Sequence, residues 1–457
     1  MEQMRLSEIA GAVGSSVSFD APVRSVVTDS RKACAGTVFV AIRGEALDGN
    51  DFAAQALANG AEAAVVERRM PGADPARCIL VPDGKRALIK IGGAYRSRFQ
   101  IPFVGVTGSV GKTTTKEFIH AVLSAKYHTL KNEGNQNNEI GVPNTLFNLT
   151  PRHEAAVIEM GMSGFGEIRD LTLAVRPSVG VITSIGVSHI EMLGSRENIL
   201  KAKLELLEGM PDGAPLLLCG DNDLLAAVRS DRLRVCRYGM ENQDCQIRAV
   251  NVEQHGEDST SFVIASPWGS HTASIPIIGR HNVLDALAAF GTGCLLGIEP
   301  ATAAAALSSY RSTGMRQKQV PWHGATIVED CYNCSPDSLR AAALTLAAYP
   351  CRGKRVLVLS DMLELGENAA AMHRECGAFI ARQEIDLLMA CGPLSSDTIE
   401  GADRAGMERC CHYPDQSSMA EALLHAIRPG DVVWFKASRG MKLEDVIHTL
   451  YRKGESL

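Results

Sequence analysis

Residues Val104-Gly-Val-Thr-Gly-Ser-Val-Gly-Lys-Thr-Thr-Thr115 run from an apolar strand through a glycine-rich turn into a helix that begins at Lys112. This stretch reads as a phosphate cradle. Gly108 and Gly111 permit backbone conformations in which N–H groups converge on phosphate oxygens, with Thr107, Ser109, Val110 and Thr114 completing the loop. The helix N-terminus adds positive potential, and Lys112 supplies a mobile cation. Thr113 is then the expected Mg²⁺ ligand. The strict Walker spacing wants a glycine where this chain has Val106, so the general pattern fails while the local context fits. An ordinary glycine-rich turn is the alternative.

The surrounding pattern supports a layered α/β architecture. Apolar runs at Pro102–Thr107, Ala155–Gly161, Val179–Gly186 and Ala214–Gly220 alternate with helical stretches, which implies a parallel sheet with crossover helices. Segments Ser261–Ala265 and His271–Ile277 switch to period two and read as an antiparallel insertion or edge, after which a helix over Asn282–Gly291 closes the unit. Upstream, Val23–Asp29, Thr37–Ala41 and Ala63–Val66 form a smaller α/β unit. Downstream, strands at Arg355–Ser360, Asp386–Gly392 and Asp431–Ala437 imply a third alternation, with a hinge near residue 313. The expected fold is therefore α/β in three domains: 1–97, small; 98–312, a central P-loop-type parallel sheet with flanking helices; and 313–457, Rossmann-like.

With 46% hydrophobic and 21% charged residues over 457 positions, the chain has the balance of a folded protein rather than a disordered one. A net charge of -6 with scattered Lys and Arg leaves no basic stripe for a nucleic-acid backbone. No apolar run reaches the roughly 18–20 residues of a membrane span, and no secretory signal opens the sequence, so a cytoplasmic location with reduced thiols is expected. Cys331 and Cys334 form an isolated C-x-x-C and Cys410–Cys411 are adjacent, which gives a tetrahedral metal site no support.

The variant T-G-x-x-G-K-T resembles the Mur ligase superfamily, which also includes folylpolyglutamate synthetases. Further segments follow in the family's order: Asn135-Gln-Asn-Asn-Glu-Ile-Gly-Val-Pro143, Glu159-Met-Gly161, Ile182–Glu191, Gly279-Arg-His-Asn282, Glu329-Asp-Cys-Tyr-Asn333 and Asp361-Met-Leu-Glu-Leu-Gly366. The set is similar to the branch that adds a dipeptide last. The resemblance implies an ATP-dependent ligase joining D-alanyl-D-alanine to UDP-N-acetylmuramoyl tripeptide through an acyl phosphate, with ATP and two Mg²⁺ ions and as a monomer. Asn135–Pro143 and Tyr332-Asn333 favour that branch over the other amino-acid ligases and folylpolyglutamate synthetase. A nucleotide-binding switch that does not ligate is the reading from another class.

Glu159 follows an apolar run, which puts a hard oxygen at the sheet edge where α/β proteins bind ligands and suits Mg²⁺. His189 ends the strand Val179–Gly186 in the same way, and by resemblance it ligates a second metal with Lys203, carbamylated by CO₂. From sequence alone Lys203 would be a solvated helix lysine, and only the family register selects it over Lys201. Asn282 resembles the adenine-reading asparagine, Arg316 the arginine that reaches the γ-phosphate from the next domain, and Asp330 an aspartate that touches ribose or places that arginine's loop. Lys112, Glu159, His189, Lys203 and Arg316 form the expected catalytic set. Ser30, Arg31, Asp51 and Phe52 resemble the segments for the UDP end, and Asn137, Asn138, Tyr332 and Asn333 are the other expected substrate contacts.

Three positions depart from the family pattern: Ser335 replaces asparagine, Ser360 replaces the glycine of G-D-M, and Ala437 replaces the glycine of K-G-S-R. The role of Lys436-Ala-Ser-Arg439 is open between the incoming dipeptide and a domain interface.

Overall fold

The computed structural model describes residues 1–454. Phe103–Thr107, the strand before the glycine-rich turn, lies in a nine-stranded sheet between Val179–Ile182 and Ala155–Glu159, parallel to both. Thr129–Lys131 closes one edge beyond Ala155–Glu159, while Pro215–Cys219 and Arg234–Gly239 extend the other side. The strand order thus reverses at Phe103–Thr107, and the crevice outside the carboxyl ends of its neighbours is where such sheets bind ligands. All five residues of that strand are buried, as a strand covered by helices on both faces requires. The period-two segments are an antiparallel edge, Ile247–His255, Ser259–Ser266 and Gly269–Ile275.

The amino-terminal unit has a four-stranded parallel sheet of Ser25–Val27, Thr37–Val40, Ala63–Val66 and Cys78–Leu80. The expected strand Val23–Asp29 is divided, because Val23 pairs with Met4 in a separate two-stranded ribbon. Helix Gly84–Arg96, capped by Asp83, joins this unit to the central one: Tyr95 Oη donates to the Leu149 carbonyl at 2.6 Å and Arg96 Nε to that of Val175 at 2.6 Å. One continuous apolar core runs through both units, from Met4 to Tyr310.

The carboxyl-terminal unit has six strands in the order Lys318–Trp322, Ala325–Glu329, Val432–Lys436, Arg355–Leu359, Leu387–Cys391 and Cys410–Tyr413. All adjacent pairs are parallel except the first. Its two apolar cores lie on opposite faces of that sheet. The sequence reading missed the hairpin Lys318–Glu329 and the strand Cys410–Tyr413. The latter is a half-exposed edge whose residues carry no apolar alternation, so it gives no periodic signal. The expected helix Asn282–Gly291 is longer, Arg280–Leu295. No helix among the described residues is long and apolar enough to cross a membrane.

Candidate active site

The glycine-rich loop needs its glycines for stated reasons. A Cβ on Gly108, at φ +150°, would stand 1.9 Å from Thr183 Oγ1, and one on Gly111, at φ +87°, would stand 2.6 Å from Asp285 Oδ1. Lys112 Nζ donates to the carbonyls of Gly108 at 2.8 Å and Ser109 at 3.3 Å, and burial lowers its pKa. Thr107 is buried beneath the loop, with its hydroxyl oxygen unpartnered among the described residues.

A cavity of about 390 Å³ opens over this loop and is lined by residues of two units. Ser109–Thr114, Asn137, Asn138, Glu159, His189 and Asn282 come from the central unit; Arg316, Asp330, Tyr332, Asn333 and Lys436 come from the carboxyl-terminal one. Arg316 Nη2 donates to Thr113 Oγ1 at 3.0 Å, and its guanidinium stacks 4.2 Å above the Tyr332 ring. Stacking and a planar fork suit arginine to an oriented contact with phosphate. Asn282 Nδ2 donates to the Ile278 carbonyl at 2.7 Å and to Gln317 Oε1 at 3.3 Å, while Gln317 Nε2 lies 2.9 Å from His281 Nε2.

Glu159 is the last residue of its strand and is buried. Asn137 Nδ2 donates to its Oε1 at 2.7 Å, whereas Oε2 is buried with no hydrogen-bond partner among the described residues and lies 3.9 Å from Lys116 Nζ. An orphaned carboxylate oxygen in a wall of hard donors fits a divalent cation. Asn137 therefore supports Glu159, and Asn138 Oδ1 accepts from the backbone N–H of Gly141 at 2.9 Å at the start of helix Gly141–Leu146.

His189 does not end a strand as the sequence implied. Val179–Ile182 stops seven residues earlier, and His189 sits at the head of a short helix with φ +64°. Lys203 also departs from its sequence reading as a solvated lysine: it is buried at 1% exposure, whereas Lys201 is exposed. It is not among the residues that line the cleft, makes no hydrogen bond or ion pair among the described residues, and has its pKa driven well down, first by burial and then by Lys112. Both effects disfavour the charged form of its amine.

Ser30, Arg31, Asp51 and Phe52 do not line this cavity. They follow the carboxyl ends of strands in the small parallel sheet, the ligand-binding edge of such a sheet. Ser30 is buried with its hydroxyl 3.4 Å from Gln55 Oε1, Arg31 is exposed and paired with Asp29, Arg68 bridges Asp48 and Asp51, and Phe52 is half-buried on the local core.

The sequence reading missed Asp285 and left Lys436-Ala-Ser-Arg439 unassigned. Lys436 Nζ donates to Asp330 Oδ2 at 2.8 Å and fixes it in the cleft, and Ser438 Oγ ties Cys334 O to the Leu363 N–H. Arg439 lines an adjoining cavity of about 330 Å³ with Glu364 and Asn135; Ser188, His189, Tyr332, Asn333, Cys334 and Ser335 line both cavities. The three departures have clear local roles. Ser335 caps helix Pro336–Ala347, Ser360 Oγ donates to the Cys391 carbonyl at 2.6 Å, and Ala437 is fully buried.

Asp285 lies on the same helix face as Asn282 and accepts from Thr115 Oγ1 at 2.8 Å. Burial pushes its pKa from 3.8 up to about 8, against the opposing effects of Thr115 and Arg316. A protonated carboxyl is what a phosphate-binding wall tolerates. Near pH 3.8 and below, both folded and unfolded states carry this proton; between there and about 8 only the folded state does. Stability from this group therefore falls as pH rises through that window. Asp285→Asn is expected to melt higher than the parent at pH 8.5, by about 2 kcal/mol of stability, with a smaller difference at pH 6, as paired thermal melts would show.

Family models cover most of the chain: the Mur ligase family catalytic domain over residues 22–89, the Mur ligase middle domain over 106–293, and the Mur ligase glutamate ligase domain over 315–439. The chain is 40% identical to the UDP-N-acetylmuramoyl-tripeptide--D-alanyl-D-alanine ligase of Bacillus subtilis, over 94% of this chain and 93% of that protein. It is 33% identical to the Escherichia coli ligase of the same name, over 96% of each. Among solved structures, MurF from Acinetobacter baumannii superposes with a TM-score of 0.91 at 29% identity, covering 99% of both chains. MurF from Thermotoga maritima in complex with ADP superposes at 0.86 and 28%, covering 95% of this chain and 98% of that one. With the matched segments, the three-unit architecture and the cleft between its second and third units all in agreement, the chain belongs to the Mur ligase family.

Proposed function

We propose that the chain is an ATP-dependent ligase that adds D-alanyl-D-alanine to UDP-N-acetylmuramoyl tripeptide, forming the pentapeptide precursor of peptidoglycan, ADP and phosphate. The observation that carries this reading is the continuity of the two cavities. His189, Tyr332 and Asn333 wall both, so a nucleotide over the glycine-rich loop and a small second reactant would meet at one boundary. A nucleotide switch has no need of the second chamber.

The chemistry requires a carboxylate to approach a triphosphate, and like charges repel. Thr113 and Glu159 would hold one Mg²⁺, and His189 with carbamylated Lys203 a second, screening both reactants and the charge on the transferring phosphoryl group. The orphan Oε2 of Glu159 and the burial that disfavours the charged form of Lys203, the neutral amine being the form that adds CO₂, support this set. Lys112 neutralises the phosphates from the loop side and Arg316 from the facing unit, while Asn282 and Asp330 bind the nucleoside end. The substrate carboxylate oxygen bonds to the γ-phosphorus as ADP leaves. The dipeptide nitrogen then bonds to the acyl carbon, loses its proton and expels phosphate. Two walls from different units exclude water while the acyl phosphate waits.

Residues 1–97 take the UDP end through Ser30, Arg31, Asp51 and Phe52, 98–312 bind ATP, and 313–457 close on it and receive the dipeptide. Arg439 suits the dipeptide carboxylate: Nη1 is held by Glu444 at 2.7 Å, leaving its other donors unpaired among the described residues. The protein acts in the cytoplasm as a monomer.

Phosphate release is the test. With ATP, Mg²⁺ and the UDP-linked tripeptide, release should require D-alanyl-D-alanine, and Arg439→Ala should raise the dipeptide KM alone by about 10–100-fold, the worth of a charged hydrogen-bond pair. Release indifferent to the dipeptide would instead point to another amine or to a nucleotide switch.

A further inference from the structure

His189 Nδ1 is 2.5 Å from Oε2 of Glu364, a residue of the carboxyl-terminal unit. Both residues hold left-handed backbone, at φ +64° and +63°. Non-glycine residues adopt that conformation at an energetic cost, and only where the surroundings impose it. The surroundings here are two interlocking turns: the Glu191 N–H donates to the Glu364 carbonyl at 3.3 Å, and Gly366, at φ +61°, packs against the Glu191 backbone. Val187 and Ile190 of the same loop pack on the core of the carboxyl-terminal unit. A carboxylate this close to Nδ1 favours the tautomer that carries its proton there. Nε2 is left without a partner among the described residues, at the boundary of the two cavities. A metal-binding histidine characteristically donates its second ring nitrogen to a carboxylate in this way.

We infer that Glu364 is a positioning residue for the second cation site: the carboxyl-terminal unit supplies the carboxylate that orients His189, so cation affinity at the central unit depends on the two units being closed together. The inference rests on His189 being a ligand, as proposed above. The sequence separates the two by most of a domain, which assigns the third unit a part in assembling a site that otherwise belongs to the second.

The experiment is Mn²⁺ binding, read from the spin-resonance signal of free Mn²⁺, with the full chain and an ATP analogue bearing a non-hydrolysable β–γ bridge. Parent, Glu364→Ala, Glu364→Gln and His189→Ala proteins are compared, with thermal melts to verify folding. The weaker of two Mn²⁺ affinities should fall about 10–100-fold in Glu364→Ala and less in Glu364→Gln, which keeps an acceptor for Nδ1–H. The apparent Mg²⁺ constant for turnover should rise in step, with kcat recovering at saturating Mg²⁺ and the dipeptide KM unmoved. Parent-like Mn²⁺ affinity in both Glu364 variants, alongside a loss in His189→Ala, would overturn the inference while sparing the ligand assignment. Parent-like affinity in His189→Ala would remove the ligand assignment itself. A dipeptide KM raised with Mn²⁺ affinity unchanged would move Glu364 to the acceptor chamber and overturn the positioning role.

Discussion

Lys203→Ala is expected to lower kcat by about 10³-fold or more, the scale of losing an electrostatic element of the transition state, and short-chain carboxylates such as acetate should restore part of it. Lys203 has 1% exposure and no partner for its nitrogen among the described residues, and both burial and Lys112 oppose its protonation. A lysine serving as a cation would be poorly placed there. An uncharged amine converted to a carbamate would instead place an anion facing Lys112. Acetate entering the space left by alanine replaces that anion, whereas methylamine replaces only the amine. Restoration by acetate and not by methylamine, measured as phosphate release, would establish the carbamate. The reverse pattern would return Lys203 to a cationic role. Because the substitution breaks no ion pair, the variant should stay folded under the assay conditions.

Arg316→Ala should cost about 10²–10³-fold in kcat with a much smaller change in the ATP KM, since a residue that meets the transferring phosphoryl group acts mainly in the transition state. The guanidinium spans the two units, bonded to Thr113 and stacked on Tyr332. Arg316→Lys should recover little, because an ammonium has neither the fork nor the flat face. Single-turnover measurement of ADP formation separates this from slower product release. A lysine variant with near-parent kcat would show that charge alone suffices.

Much of the fold could be read from the chain because its strands are short apolar runs bounded by glycine and polar residues, as at Phe103–Thr107 and Ala155–Glu159. The phosphate loop and Glu159 were accessible for the same reason: their function is tied to the end of a strand, a position that pattern locates. Lys203 could be selected only by family register, since burial is what separates it from Lys201 and neighbouring letters do not encode burial. His189 was found by the same register but placed on the wrong element, because a left-handed histidine after a strand leaves no periodic trace. Asp285 had a weak signal, a single carboxylate within the apolar helix Arg280–Leu295 and three residues from Asn282. The pairing of Glu364 with His189 had none, because it depends on two remote turns meeting.

The continuous core from Met4 to Tyr310 has a consequence for how this protein can be taken apart. A cut near residue 97 would leave both fragments with an open apolar face, since Tyr95 packs against both Phe99 and Phe147 and helix Gly84–Arg96 bonds to the chain beyond it. A cut between Tyr310 and Lys318 leaves the interior of each fragment nearly closed, because the cores of the last unit draw on Ile278 alone among the buried residues before it. The molecule is thus three units by architecture but two by core, and the boundary between those two runs along the cleft, where on the proposed reading opening would admit substrate and closing would protect what forms there.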